Sequence, residues 1–589
     1  MKTKNTTIHG TILLFLILAA SLAALFYWGT QKEGYHVDEM YMYGTANSEY
    51  LPFMHLGEQE YSVKDWMHEY GAGSSLPELF SNLKKDIGIL KDSNWKIKES
   101  KIYKDYRRAQ ACSNEMYTTT WMDGQAYRDY LCATTESRFN YVSVLYNFRG
   151  DNHPPLYALL LHTVCSFFPG QFSKWTGLGL NAVIVLLTIL LIYVTVRDYL
   201  GGERLALMVA ACYGLSTAAA HTGSFIRMYG LLTLMVVGFV YSHLRLQGAD
   251  WELSRENSRI LGFFTLFGYL TQYYFVFFAF GLALTSIIIL IAHRNRRTLS
   301  RYLLVLVRSA VLGIVLWPFS LKAVFAGSRG DESISGLFSP DGTLSRLSVM
   351  LNVLSENTVG VPGLVFLGFL LLCGIALLIL MLVKKGEENR ISLEKGAICA
   401  VPFILYFVTV SKMIPYLVDR YIMCLFPWCF ILSFGAFALL LHKCGLSEKL
   451  QTVLLCGFFL LLMISSDSFR VGNDYLFEGG QENDRVAANT DCVYVLPADW
   501  WNQSAEDTLL LSKCRKSAVV REGDFESLAG TYRPVAGSTL LFIVREGLDA
   551  DADVAGLIKL LPEDGYKLRL KENSREQSRG RILISYSVE

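Results

Sequence analysis

The sequence predicts an all-α polytopic membrane protein of about 11 transmembrane helices, with a long first extracytoplasmic loop and a small C-terminal extracytoplasmic α/β domain. Of its 589 residues, 52% are hydrophobic and only 18% are charged, whereas soluble domains are nearer a quarter charged. The apolar residues fall in runs of roughly 17–23, the length that crosses a hydrocarbon core. From about residue 483, polar sequence returns, and short strand and helix patterns alternate.

The first apolar run, Thr11 to Trp28, follows Lys2 and Lys4. A signal peptide begins in the same way, and small residues near Ala20 offer a cleavage site. The run nevertheless continues without a break to Trp28, so we interpret it as a retained anchor with aromatic residues at the outer interface. The remaining predicted spans are Leu178–Val196, Leu205–Thr222, Met228–Leu244, Ile260–Tyr274, Phe275–Ala292, Tyr302–Phe325, Val361–Val383, Ala397–Val410, Ile422–Leu441 and Thr452–Ser465.

Positive charge predicts the orientation in the plasma membrane. Lys and Arg residues collect in the N-terminal tail and in alternate loops, which the positive-inside rule assigns to the cytoplasm. These charges are Lys2, Lys4, Arg197, Arg204, Arg294, Arg296, Arg297, Lys384, Lys385 and Lys443. An odd number of spans then places the loop 29–154 and the C-terminus outside. We expect one transmembrane domain, 1–465, and one C-terminal domain, 483–589.

The composition also limits the partners and cofactors. A net charge of +1 gives no support for a nucleic-acid partner. Each external region holds one cysteine pair, Cys112 with Cys132 and Cys492 with Cys514, which favours a disulfide in each, or free thiols where no oxidising machinery exists. The external Cys and His residues show no metal-ligand spacing. No cofactor is therefore predicted, and a divalent metal is compatible with the sequence but not supported by it.

An acidic pair, Asp38 and Glu39, directly follows the first span in "YHVDEMYMYG". One interpretation is structural, because an Asp at this place caps a helix that runs through Met40. The other is chemical, because a carboxylate can take the proton of an acceptor hydroxyl. The pair alone favours the cap.

Three further strings bear on that choice. "DNHPPLY" closes the same loop, and its double proline holds His153 and Tyr157 at a rigid junction. "FIRMYG" and "YLVDRYIMCLFP" place Arg–Tyr pairs at outer ends of spans; these residues are Arg227, Tyr229, Arg420 and Tyr421.

The two arginines also have two interpretations. An interfacial arginine commonly snorkels, and Asp419 is a simple ion-pair partner for Arg420. Outer span ends disfavour cations, however, and a guanidinium fork matches a phosphate. A sugar carried on a lipid phosphate leaves as a phosphate, which requires cations, and its acceptor requires one base. One acidic site together with several cations therefore fits sugar transfer better than hydrolysis, because hydrolysis more often uses two carboxyl groups.

On these strings, over about residues 10–427, the sequence resembles the GT-C superfamily of membrane glycosyltransferases. It is most similar to the bacterial branch with protein O-mannosyltransferases and lipid A aminoarabinose transferases. The resemblance implies a polyprenyl-phosphate-linked sugar donor, an extracytoplasmic active site and inversion at the anomeric carbon. It leaves open whether the acceptor is a glycan, a lipid or a protein.

The resemblance also implies roles for single residues. Asp38 is the expected base, supported by Glu39. The expected donor-binding residues are His153, Tyr157, Arg227, Tyr229, Gln272, Arg420 and Tyr421. Many relatives have Thr-His-Tyr where this chain has "TQYYF", so Gln272 replaces an imidazole. The alternative functions are a transporter or flippase for a lipid-linked glycan, which would need ionisable residues deep in its spans, and a non-catalytic scaffold.

Overall fold

The computed structural model describes residues 7–57, 59–71, 76–115, 117–325, 335–337, 342–383, 387–477, 486, 488–498, 503–561, 567–578 and 580–589. Four of the predicted cytoplasmic charges, Lys2, Lys4, Lys384 and Lys385, and the predicted domain boundary at residue 483 lie outside these ranges. The chain divides into two units. Unit 1 comprises 1–32, 149–160 and 174–476, and unit 2 comprises 33–148, 161–173 and 477–589.

The elements in chain order are as follows. The first half contains α1 (Ile8–Gln31), α2 (Val37–Asn47), α3 (Val63–Tyr70), α4 (Leu76–Asp92), α5 (Lys101–Asn114), β1 (Trp121–Asp123), α6 (Gly124–Leu131), α7 (Tyr141–Phe148), α8 (Leu156–Ser166), α9 (Lys174–Thr195), α10 (Glu203–Gly214), α11 (Thr217–Ser224), α12 (Tyr229–Gly248), α13 (Arg255–Thr271) and α14 (Phe275–Ala292). The second half contains α15 (Arg296–Leu316), α16 (Phe319–Phe325), α17 (Thr343–Glu356), α18 (Gly363–Val383), α19 (Glu387–Met413), α20 (Phe426–Lys443), α21 (Glu448–Ser465), α22 (Ser468–Val471), β2 (Thr490–Leu496), α23 (Thr508–Leu511), β3 (Lys516–Arg521), β4 (Thr539–Arg545), α24 (Ala550–Leu560), β5 (Leu568–Ser578) and β6 (Arg581–Val588).

Unit 1 confirms the predicted helical, polytopic architecture. In the described part of the chain, nine helical segments are long and apolar enough to cross a membrane. They are Ile8–Gln31, Lys174–Leu200, Tyr229–Gly248, Phe275–Ala292, Arg296–Leu316, Gly363–Val383, Glu388–Met413, Met423–Lys443 and Glu448–Ser465. Many of their apolar side chains are exposed, and Leu364, Leu372 and Val383 of α18 are 72–75% exposed. Such a surface is typical of helices that face lipid.

The two other predicted spans are not continuous long helices. The run Leu205–Thr222 is divided between α10 and α11. At this break the Thr217 N–H donates to the Ser466 carbonyl at 2.9 Å. The run Ile260–Tyr274 lies in α13, which has 17 residues and ends at Thr271. The described residues therefore contain nine helices of this length and hydropathy, and the predicted count of 11 is not confirmed.

Unit 2 contains a six-stranded sheet of order β1-β3-β2-β4-β6-β5. β2 pairs in parallel with β3 and β4, and the remaining pairs are antiparallel. Alternate residues of the central strands pack with α24 in one buried core, which includes Val493, Val520, Phe542 and Leu557. The predicted small α/β domain is confirmed, but β5 is an additional strand. Its sequence, "LRLKENSREQS", is too polar to show the apolar alternation that predicts a strand.

The first loop contributes a strand to this sheet. Trp121 pairs with Ala518, and Asp123 pairs with Lys516. Gly124 follows directly, and a Cβ at that position would lie 2.0 Å from the Cys514 carbonyl oxygen. Only glycine therefore allows this approach. The structure groups residues 33–148 with 477–589, a grouping that the sequence-based domain boundaries do not contain.

The twelve cysteines are free thiols, so the predicted disulfides are absent. Cys112 lies partly exposed on α5, whereas the thiol neighbour of the buried Cys132 is Cys165. Cys492 and Cys514 lie in hydrogen-bonding contact inside the sheet domain but are reduced. Of the two predicted cysteine pairs, Cys492 with Cys514 are therefore neighbours in space.

Candidate active site

A charged cluster forms where the first loop enters α8 in unit 1. The Asp151 carboxylate accepts hydrogen bonds from the backbone N–H of His153 at 2.8 Å and from its ring Nδ1 at 2.7 Å. Because a carboxylate only accepts, Nδ1 carries the proton. Burial alone raises the pKa of Asp151, but the charges of His153 and Arg227 outweigh it and hold this pKa below its ordinary value. Asp151 therefore links His153 to the buried Arg227.

Hydrogen bonds through Asn181 connect Tyr157, in the double-proline junction, to the short segment that precedes Arg227. The Tyr157 hydroxyl donates to Asn181 Oδ1 at 2.8 Å. The Asn181 amide then donates to the carbonyls of Gly223 and Phe225, at 3.2 and 2.7 Å. Arg227 lies two residues after Phe225, so these buried hydrogen bonds hold the backbone that carries the Arg227 side chain.

A second network holds the short 3₁₀ turn Asp419–Tyr421, which carries Arg420. Asp419 accepts from His221 Nδ1 at 3.0 Å and from the Tyr475 hydroxyl. His221 Nε2 accepts the Asp474 N–H at 3.3 Å, so its proton is on Nδ1. Burial, together with the charge of Asp419, raises the pKa of Tyr475 well above its ordinary value, so its hydroxyl remains a donor.

Aromatic rings join the two networks. The Phe225 ring stacks on Tyr475 at 4.5 Å and on Tyr229 at 5.8 Å between centroids. The Tyr421 ring meets Tyr229 edge to face at 6.3 Å, and the Arg420 guanidinium lies over the Tyr421 ring at 5.3 Å. Both predicted Arg–Tyr strings thus belong to one aromatic and cationic cluster.

Gln272 is buried at the turn between α13 and α14. Its carbonyl accepts the Phe275 N–H at 3.1 Å. The neighbouring Tyr274 ring lies 6.0 Å from that of Tyr421, and Tyr273 lies within electrostatic reach of Asp151. The turn therefore contacts the cluster through the two tyrosines that follow Gln272.

Asp38 and Glu39 belong to unit 2, at the start of α2. The N-cap of this helix is His36, not Asp38: His36 Nδ1 accepts the Asp38 N–H at 3.1 Å. Glu39 is fully buried and completes a capping box, since its carboxylate accepts the His36 N–H at 2.8 Å. The Asp38 side chain is 27% exposed. Glu39 therefore caps the helix, whereas the Asp38 carboxylate is more accessible to solvent.

Helix α2, whose first turn contains Asp38, is held in place by contacts with α6 and α7. Gly44 approaches Tyr130 of α6 so closely that a Cβ would lie 2.1 Å from its ring. The Asn147 amide of α7 donates to the carbonyls of Thr45 and Ser48, at 3.0 and 2.9 Å. This packing fixes the direction of the helix end that carries Asp38.

The structure therefore brings the predicted donor-binding residues of unit 1 into one connected region: His153, Tyr157, Arg227, Tyr229, Gln272, Arg420 and Tyr421. Sequence reasoning missed Asp151, Asn181, His221 and Tyr475 as members. Asn181 left a signal, because a polar amide inside an apolar span usually has a function. Asp419, predicted as a simple partner of Arg420, also accepts from His221 and Tyr475.

In the ranges that the structure describes, no group of three or more His, Cys, Asp or Glu side chains converges as a ligand set. The described cluster offers guanidinium, imidazole and phenol groups that can surround an anion.

Substituting Asp151 with asparagine is expected to destabilise the protein by about 1–3 kcal/mol near neutral pH. The pKa of Asp151 is lowered in the folded state, so its stabilisation is fully present above the ordinary Asp value of about 3.9. It is lost as the pH falls from there through the lowered value. Thermal unfolding of the two proteins across this range should therefore converge in acid. A difference independent of pH would contradict the ionised role, and Asp250→Asn, at an exposed site, is the control.

Comparison with known proteins gives one family match. Residues 152–321 match the family model described as dolichyl-phosphate-mannose-protein mannosyltransferase. This segment contains five of the predicted site residues: His153, Tyr157, Arg227, Tyr229 and Gln272. None of the curated proteins matches the sequence significantly.

Two solved structures are similar to the chain, both of ArnT from Cupriavidus metallidurans. The crystal structure bound to undecaprenyl phosphate is 13% identical and covers 74% of this chain and 88% of that chain, with a TM-score of 0.42. The apo structure is 14% identical and covers 74% and 87%, also with a TM-score of 0.42. It is the family match, over residues 152–321, that confirms the resemblance of this chain to the GT-C superfamily of membrane glycosyltransferases.

Proposed function

We propose that the protein transfers a sugar from a polyprenyl-phosphate-linked donor to an acceptor hydroxyl on the extracytoplasmic face, with inversion. The observation that carries this proposal is the cluster of Arg227, Arg420 and His153, which lies around the carboxylates of Asp151 and Asp419 and is lined by aromatic rings. The match of residues 152–321 to a lipid-phosphate-sugar family supports it.

The cationic cluster would bind the donor phosphate. Arg227 and Arg420 offer guanidinium forks, and a fork binds two phosphate oxygens at once. The ring of His153 donates from Nδ1 to Asp151, and this hydrogen bond orients the ring. As the bond from the anomeric carbon to the phosphate breaks, negative charge grows on the phosphate, and these fixed cations stabilise it.

Asp38 is the proposed base. Its carboxylate would take the acceptor proton while the acceptor oxygen attacks the anomeric carbon from the face opposite the phosphate. The new carbon–oxygen bond forms as the phosphate leaves with its electron pair, so the configuration inverts. Glu39 is buried and accepts the His36 N–H in the helix cap, and we assign it support of the helix end.

The proposed orientation places the N-terminus in the cytoplasm and the C-terminal domain outside. The charges at Arg197, Arg204, Arg294 and Lys443 support it.

The test is a transfer assay with the purified full-length chain in lipid nanodiscs. A panel of radiolabelled polyprenyl-phosphate hexoses and pentoses is incubated with membrane extract as the acceptor source. We expect label to move to an acceptor from at least one polyprenyl-phosphate sugar and from no nucleotide sugar. Passage of a donor across sealed vesicles without transfer would instead support a flippase, and no transfer from any donor would contradict the proposal.

A further inference from the structure

Helix α4 carries an apolar face that is largely exposed. Phe80, Leu83 and Ile87 are 68, 47 and 53% exposed, and their spacing places them on one side of the helix. Trp95 and Ile97, just after the helix, are each 62% exposed. We call these five residues the α4 surface. Large apolar side chains grouped in this way usually mark an interaction site.

The other side of α4 is the one that holds it in the unit. The Asn82 amide donates to the Gly71 carbonyl, at the end of α3, at 2.8 Å. The Lys85 ammonium lies over the Tyr70 ring of α3, 5.4 Å from its centroid. These contacts fix the rotation of α4 about its axis, so the α4 surface is turned away from α3.

Positive charge surrounds the α4 surface. Residues 76–104 contain seven lysines and four acidic residues. Lys84, Lys91 and Lys98 are exposed beside the apolar side chains. A lysine in such a place can lay its carbon chain along an apolar surface and extend its ammonium to an anionic group. An apolar stripe bordered by lysines and followed by a tryptophan is the pattern of a helix that lies in a membrane interface.

We propose that the α4 surface inserts into the headgroup region of an anionic phospholipid bilayer. The loop that contains it is joined to apolar spans at both ends, α1 ending at Gln31 and α9 beginning at Lys174. A bilayer surface is therefore always present at high effective concentration. Tryptophan and lysine are the residues that favour this depth. The inference is independent of the proposed enzymatic function.

The test uses the fluorescence of Trp95. The full-length protein is placed in nanodiscs of phosphatidylcholine and phosphatidylglycerol, with or without bromine on the upper acyl chain, which quenches nearby tryptophan. Since the chain has ten tryptophans, the signal of Trp95 is the difference between the wild type and Trp95→Phe. We expect this difference spectrum to be blue-shifted and to lose most of its intensity in brominated lipid.

Two variants give the controls. Substituting Phe80, Leu83 and Ile87 together with serine should remove the quenching and the blue shift while Trp95 remains. Val535→Ser, which changes an exposed apolar residue elsewhere in unit 2, should leave both unchanged. Replacing phosphatidylglycerol with phosphatidylcholine should reduce the quenching. A Trp95 signal that is red-shifted and quenched by aqueous iodide instead of by brominated lipid would overturn the proposal and favour a protein partner for this surface.

Discussion

Replacing Asp38 with asparagine is expected to lower kcat for sugar transfer by about 10²- to 10⁴-fold, the usual contribution of a general base. Asparagine has nearly the same shape but cannot accept a proton. The Asp38 side chain is partly exposed at the second position of α2, and it is the Asp38 backbone N–H that donates to His36. The substitution should therefore leave the helix intact. The measurement is single-turnover transfer from a polyprenyl-phosphate sugar.

Glu39→Gln is the matched control. A glutamine at the third helical position still accepts the His36 N–H, so the capping box survives. We expect its rate to stay close to that of the wild type, with only a small loss of thermal stability. Near-normal turnover of Asp38→Asn would refute the base assignment. Equal loss of activity in both variants would indicate that the acidic pair acts through the helix end.

Replacing Arg227 with alanine is expected to reduce kcat/KM for the donor by about 10²- to 10³-fold, comparable to the loss of one donor that stabilises a developing anion. Arg227 is only 6% exposed, and its charge helps to lower the pKa of Asp151. Arg227→Lys should recover part of the rate, because lysine supplies the charge without the fork. Arg420→Ala should change donor use in the same direction.

The control separates binding of the donor from folding. Arg301, exposed on α15, can be changed to alanine with no expected effect on transfer. Saturation with acceptor should leave the defect of Arg227→Ala in place, because the lost contact is to the donor. If a folded Arg227→Ala protein keeps the kcat and donor KM of the wild type, Arg227 is structural only.

The sequence predicted most of the spans because a run of apolar residues is a local signal. It did not show the break within Leu205–Thr222, where the Thr217 N–H donates to the Ser466 carbonyl. That contact joins residues more than two hundred positions apart, and no window of sequence contains it. Strand β5 was missed for a related reason: its polar side chains give no apolar alternation, and its pairing with β6 defines it.

The candidate site was predicted only in part. Arg227, Arg420 and His153 stood out because each is a charged or titratable group at an outer end or junction, in a recognisable string. Asp151, His221 and Tyr475 did not, since their roles arise from contacts made in space. Asp419 and Tyr475, which share a hydrogen bond, are 56 positions apart. Patterns can indicate the cations, but only the fold shows which groups hold them.

Strand β1 has a consequence for how the protein is made. The Trp121 indole donates to Thr531 at 3.1 Å, and these residues are 410 positions apart. The ribosome therefore completes every membrane span before the partner of β1 exists. Until then the first loop carries an unpaired strand, which is open to proteases and to pairing with other chains. A chain truncated after the last span would lack the strands of the sheet to which β1 belongs. Strand β1 would then stay unpaired, although the deletion lies at the other end of the polypeptide.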